Sequence, residues 1–244
     1  MKKLIFFTFL LFSFTGFSQS CDNIKTITFP SKDGLAITAD LYTTMKSKDF
    51  MVLCHQAGFS RGEYINTAPT LQSMGYSALA IDQRSGNRAN GIKNETNTEA
   101  KHKGLPTTYL DAKQDIEAAI DYAYKLNKNK PIILVGSSYS ASLVLLIATN
   151  NKKVKAVAAF SPGEYLHGIN LAESIKNLKI PCFVTSAKSE INQTSKVVRF
   201  VDAKYVTHFK PKVTGIHGSK ALWPTNKGHQ AYWKAFKSFL KTIK

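Results

Sequence analysis

The chain predicts an α/β fold in which a mostly parallel central sheet is covered by helices on both faces. Three observations predict it. Short continuous apolar runs at 51–54, 77–81, 132–135, 154–160 and 180–185 read as strands buried on both sides. Between several of them, apolar residues recur at helical spacing, and strands that alternate with helices imply parallel crossover units. His55, Asp82, Ser138, Ser161 and the 186–190 turn each follow one of the strands. In such sheets functional groups gather beyond the carboxyl ends of the strands.

Taken in order, residues 1–20 read as a signal peptide. Lys2 and Lys3 make a basic start, 4–12 is an apolar run too short for a comfortable membrane span, and Ser18 and Ser20 have the size of cleavage-site residues. Residues 21–244 then form a single domain with a sizeable core, secreted or periplasmic after cleavage. Cys21 raises lipoprotein anchoring as an alternative, but Ser18-Gln19-Ser20 before it lacks the leucine expected three positions upstream.

Residues 24–29 and 36–42 alternate apolar and polar around Lys32-Asp33-Gly34, which predicts an antiparallel hairpin at the sheet edge. A helix is expected over 64–74, closed by Gly75. The polar stretch 83–106 has no period and reads as a long surface loop. Thr108 and Asp111 suit the start of a helix whose buried stripe is Ile116, Ala119, Ile120 and Ala123. The connection 164–179 is too short for a lid domain. A helix is expected over 197–201, a strand over 205–209, and a closing helix with Tyr232, Phe236, Phe239 and Ile243 on one face.

The whole sequence carries a net charge of +17, and removing the two leader lysines leaves 31 basic against 16 acidic residues, or +15. Such a charge permits weak attraction to anionic surfaces. The lysines are scattered, however, and neither aromatic-basic interleaving nor a nucleic-acid motif occurs, so nucleic acid is not an expected partner. Of the three cysteines, Cys54 and Cys182 sit in strand-like runs and read as buried free thiols, and no metal-ligand spacing is visible. Oligomeric state is not encoded legibly.

The chemistry centres on Gly136-Ser137-Ser138-Tyr139-Ser140, between a buried strand and a helix in which Leu143, Leu146 and Ile147 share a face. A serine on that sharp turn is held out at the sheet edge, which makes Ser138 the candidate nucleophile. It needs a base within hydrogen-bond reach. Of six histidines, His55 reads as bonding its own loop, while His102, His167 and His208 read as structural or solvated. His217 and His229 flank the start of the last helix and are the candidates for the base. Glu190, Glu164 and Asp202 are candidates for the acid that orients it.

These residues resemble the α/β-hydrolase family, closest in shape to its dienelactone hydrolase and esterase branch. The carriers are the elbow at 136–140, the loop His55-Gln56-Ala57-Gly58 after an early strand, and His217-Gly218 near the end. Asp82-Gln83-Arg84-Ser85-Gly86 and the late helix are smaller matches. The resemblance implies that His217 is the general base and that the acid lies in the turn after Thr185. There Ser189 stands at the usual aspartate position, and Glu190 serves with a one-residue shift. It implies oxyanion donors at Tyr139 N–H and at Ala57 or, as second choice, Gln56. Ser140 replaces the elbow's last glycine, and Gln56 replaces another glycine. The implied activity is cleavage of a small or medium ester through an acyl-enzyme, without metal or organic cofactor. The alternatives are a peptidase or thioesterase on the same triad, or a non-catalytic binding protein on a degenerate hydrolase fold.

Overall fold

The structure, a computed structural model, describes residues 23–243. The stretch 1–20 read as a signal peptide, and Cys21, lie outside the described residues. The chain opens with β1 (Asn23–Pro30) and β2 (Ala36–Thr43), the antiparallel hairpin that the alternation predicts. It continues through β3 (Asp49–Cys54), α1 (Thr67–Ser73) and β4 (Tyr76–Ile81). Two short strands, β5 (Arg88–Ala89) and β6 (Ile92–Lys93), and α2 (Glu95–His102) precede α3 (Lys113–Leu126). Then come β7 (Ile132–Ser137), α4 (Tyr139–Ala148), β8 (Val154–Phe160) and α5 (Leu171–Ser174). Last are β9 (Cys182–Thr185), α6 (Ile191–Val197), β10 (Val206–Phe209) and α7 (His229–Leu240).

The main sheet runs in the order β1-β2-β4-β3-β7-β8-β9-β10, parallel from β4 onward. Successive strand residues point to opposite faces. Met51, Leu53, Ile133 and Val135 therefore pack with α1 and α7, while Val52, Cys54, Ile132 and Leu134 pack with α3 and α4. Both faces are covered, so the strand interiors need no polar alternation. The register keeps the ends level: Ile81 pairs with Cys54, Cys54 with Gly136, Ser137 with Phe160, and Phe160 with Thr185. The next residue of each strand thus emerges at one edge. Cys54 and Cys182 are buried and free.

Three elements differ from expectation. The helix expected over 64–74 is split into a 3-10 turn, Arg61–Tyr64, and α1. The expected helix over 197–201 lies earlier, as α6, although Val197, Val198 and Val201 still bury themselves against the core. The stretch 83–106 is not a surface loop: it holds β5, β6 and α2, and Gln83, Arg84, Ser85, Asn94, Thr96 and Asn97 are buried. Its interior is polar and held by hydrogen bonds, which leaves no hydrophobic period to read. Asn94 caps α2 through Asn97 N–H at 2.7 Å and donates its amide to the Gln83 carbonyl at 2.8 Å. Thr108 and Asp111 bond to each other one turn before α3 begins.

Arg84 is buried completely and pairs with the equally buried Asp115 at 2.7 Å and with Asp33 at 2.8 Å. The ion group fastens the β1–β2 turn and the segment after β4 to α3. Removing one partner of a fully buried pair leaves the other charge unpaired. Asp115→Ala should therefore lower the unfolding free energy by about 3–5 kcal/mol in urea titration. Asp33→Ala, on the exposed side of the same guanidinium, should cost about 1 kcal/mol or less.

Candidate active site

Ser138 sits between β7 and α4 with φ 58° and ψ −122°. A non-glycine residue in that region is strained and persists only where its surroundings hold it. They do so here: Ser138 N–H donates to the Phe160 carbonyl at 2.8 Å, and its own carbonyl accepts Ala141 N–H at 2.9 Å. Gly136 is required by space, since a Cβ there would lie 2.5 Å from the Ser140 carbonyl oxygen and 2.7 Å from Val144 Cγ2. Ser140, which departs from the family's glycine, fits because its hydroxyl has work inside. It donates to the His55 carbonyl at 2.6 Å and accepts from the Gln83 amide at 2.5 Å.

His217 lies 2.7 Å from Ser138 Oγ through Nε2 and 2.6 Å from Glu190 Oε1 through Nδ1. With the proton on Nδ1 facing the carboxylate, Nε2 is left to accept the Ser138 hydroxyl proton. The histidine turn is shaped by Gly218 at φ 74°, where a Cβ would meet Ser137 Oγ at 2.5 Å and Gln56 Oε1 at 2.6 Å. Glu190 ends the 3-10 turn Lys188–Glu190. Its second oxygen accepts the Ser161 hydroxyl at 2.7 Å and Ala187 N–H at 3.1 Å. Burial alone would raise the Glu190 carboxyl. The hydrogen bonds from His217 and Ser161 outweigh that and hold it below the ordinary value.

The other candidates lie elsewhere. Glu164 accepts Leu171 N–H at 2.7 Å and Ala172 N–H at 3.3 Å, Asp202 pairs with Lys204, and His229 Nδ1 bonds the Asn226 carbonyl. Tyr139 N–H is the first of α4, one of those a helix leaves without an internal acceptor. Ala57 N–H has no acceptor among the described residues. Gln56 N–H is already given to Glu63 at 2.7 Å, which removes it as an oxyanion donor. His55 is buried and its Nε2 accepts Gln83 N–H at 3.1 Å, so the proton sits on Nδ1, which donates to the Gln56 carbonyl at 2.8 Å. Burial pushes its ring down to about 4, which keeps it neutral.

Sequence reasoning placed Ser161 at the strand-end edge without a role and did not single out Glu63. Ser161, itself at φ 57°, ties Glu190 to the histidine turn by accepting Gly218 N–H at 2.9 Å. Glu63 is the buried partner of Gln56. Neither role has a local signal, because Ser219 reaches Glu63 from 156 residues away and Glu190 and Gly218 reach Ser161 from 29 and 57 residues away. Beside the elbow, Tyr109 stacks on Tyr139, the residue after Ser138, at 4.3 Å between centroids, and Phe59 stacks on Trp223 at 6.4 Å. Among the described residues no group of three or more His, Cys, Asp or Glu is placed to hold a metal ion.

The family profile described as serine aminopeptidase, S33 matches residues 45–223. By sequence, no curated protein matches the chain. Solved structures share the fold. An esterase of Pyrococcus furiosus aligns with a TM-score of 0.67 at 17% identity, covering 91% of this chain and 93% of that one. A dienelactone hydrolase of Anabaena variabilis aligns with a TM-score of 0.70 at 13% identity, covering 91% and 98%. An acylaminoacyl peptidase of Pyrococcus horikoshii aligns with a TM-score of 0.63 at 17% identity, covering 90% of this chain but 41% of that one.

The strained φ at Ser138 has a measurable consequence. Ser138→Gly should be more stable than Ser138→Ala by roughly 0.5–1 kcal/mol in thermal or urea unfolding, because only glycine relieves the left-handed backbone. Glu190 gives a pH signature. Its folded value is depressed, so its contribution is present above its ordinary value of 4.5 and is lost as pH falls through the folded value. The stability gap between the native protein and Glu190→Gln should be full at neutral pH and should narrow as the pH falls below 4.5.

Proposed function

Because the chain belongs to the serine aminopeptidase S33 family of α/β hydrolases, and is a hydrolase on that ground, we propose that it is a serine esterase acting on small or medium esters. The observation that carries this reading is the relay from Ser138 Oγ through His217 to Glu190, at 2.7 and 2.6 Å. Ser138 attacks the ester carbonyl as its proton passes to His217 Nε2, and Glu190 stabilises the imidazolium. The developing oxyanion is held by the N–H groups of Tyr139 and Ala57. Collapse expels the alcohol, protonated by His217. A water activated by the same ring then releases the acyl group.

An aminopeptidase reading follows from the family's description, and it calls for a free carboxylate to hold a substrate ammonium. The carboxylates nearest the strand ends are engaged: Glu63 by Gln56 and Ser219, Asp82 by Arg61, Glu164 by two backbone N–H groups, and Glu190 by His217. Lys220, three residues past His217, instead lies 5.3 Å over the Phe59 ring. These contacts favour a neutral or anionic ester between the aromatic side chains. The leader at 1–20 supports action outside the cytoplasm.

A fluorophosphonate should label Ser138, and Ser138→Ala should abolish labelling and lower kcat/KM on aryl esters by at least about 10³-fold. His217→Ala should lose activity comparably, while His229→Ala should stay within about threefold. Absence of labelling in the native protein would overturn the reading. Faster turnover of aminoacyl anilides than of esters would favour the peptidase.

A further inference from the structure

Glu63 takes no part in the relay, yet its carboxylate is completely buried among three segments that build the site. One oxygen, Oε2, accepts Gln56 N–H at 2.7 Å, and the other, Oε1, accepts the Ser219 hydroxyl at 2.5 Å. Ser219 N–H in turn donates to Ser137 Oγ at 2.8 Å, so the carboxylate reaches the residue before the nucleophile through a single neighbour. Burying a carboxylate is costly unless it is hydrogen-bonded. What it offers in return is two strong acceptors facing different segments.

The turn that carries Glu63 is itself fixed. Ser60 caps it by accepting Gly62 N–H at 3.2 Å, Arg61 N–H donates to Asp82 at 2.7 Å, and the Glu63 carbonyl accepts the Trp223 indole at 2.9 Å. At Gly62 any side chain would meet the Ala89 carbonyl oxygen at 2.2 Å, so the turn cannot retreat. Gln56 is therefore held at both of its backbone groups. Glu63 takes its N–H, and His55 Nδ1 donates to its carbonyl. A trans peptide is planar, with the N–H opposite the carbonyl. The Gln56 carbonyl, held by His55 Nδ1, shares its plane with Ala57 N–H and sets its direction, while Glu63 anchors the adjoining peptide through Gln56 N–H.

We propose that Glu63 is a positioning residue for the oxyanion hole, setting the Gln56–Ala57 loop at a fixed distance from the His217–Ser219 turn and the Ser138 elbow. The inference rests on the esterase reading for its kinetic consequence, though not for its geometry. Glu63→Gln keeps the shape but offers one acceptor oxygen in place of two. Per active site titrated with the phosphonate, kcat should fall roughly 10- to 100-fold with KM within about threefold. Glu63→Asp, which keeps both acceptors on a shorter stem, should recover part of that loss, and Ser219→Ala should fall between native and Glu63→Gln. A merely structural role would lower the titratable fraction and Tm while leaving kcat per titrated site unchanged, and that result overturns the proposal.

A second measurement does not depend on turnover. In Ser138→Ala protein, the Gln56 amide proton should resonate well downfield, as expected for a short bond to a carboxylate, and should move upfield when Glu63→Gln is added. An unshifted amide overturns the clamp even if ester turnover is normal. A shifted amide in a protein that neither hydrolyses esters nor takes the phosphonate upholds the clamp and removes the esterase reading alone.

Discussion

Lateral hydrogen bonding between parallel strands keeps their carboxyl ends level, and everything at the site depends on that alignment. Cys54 pairs with Gly136, the next residue Ser137 with Phe160, and Phe160 with Thr185, so the strand ends stay level across the sheet. Each strand then delivers its next residue to the same edge: His55, Ser138, Ser161 and Ser186. A one-residue slip would also turn every strand side chain to the opposite face. The apolar faces against α3 and α4 on one side and α1 and α7 on the other resist such a slip. The placement of the strand-end residues is in this sense inherited from the core.

On that platform, the loops bring opposite electrostatic strategies together. Glu190 is only partly buried and is held below its ordinary value by the donors His217 and Ser161. His55 is buried outright and kept neutral, which suits a fixed donor to a backbone carbonyl. Backbone strain is concentrated in the same place. Ser138 and Ser161 both adopt positive φ, and both hold hydrogen bonds to the relay from those positions. The fold tolerates the strain because β7 and β8, from which they emerge, are among its most deeply packed strands.

Much of this was legible in the sequence. Buried strands announce themselves as apolar runs, and Ser138 and His217 follow such elements in an order that resembles a known family. Glu190 was legible only as one of three acids, because reach across a 3-10 turn is a property of geometry and not of spacing. The segment 83–106 was misread for a related reason: its inward side chains are Gln83, Arg84, Asn94 and Asn97, so its burial has no hydrophobic signature. Ser161 was placed at the edge but not paired with Glu190, which stands 29 residues away, and Glu63 was missed because its role joins Gln56 to Ser219, 156 residues further along the chain. Position α6 was displaced because its apolar residues cluster at its end and beyond it.

The bonds joining Gln56, Glu63, Ser137 and Ser219 also bear on how such a protein can change. The Glu63 carboxylate bonds Gln56 and Ser219 directly and reaches Ser137 through Ser219, so the effect of altering any one depends on what occupies the others. Libraries that sample these sites singly would find each of them intolerant. Libraries that sample them jointly could reach alternative loop arrangements through combinations no single step reveals. To a breeder of variants the quartet would behave as one inherited character.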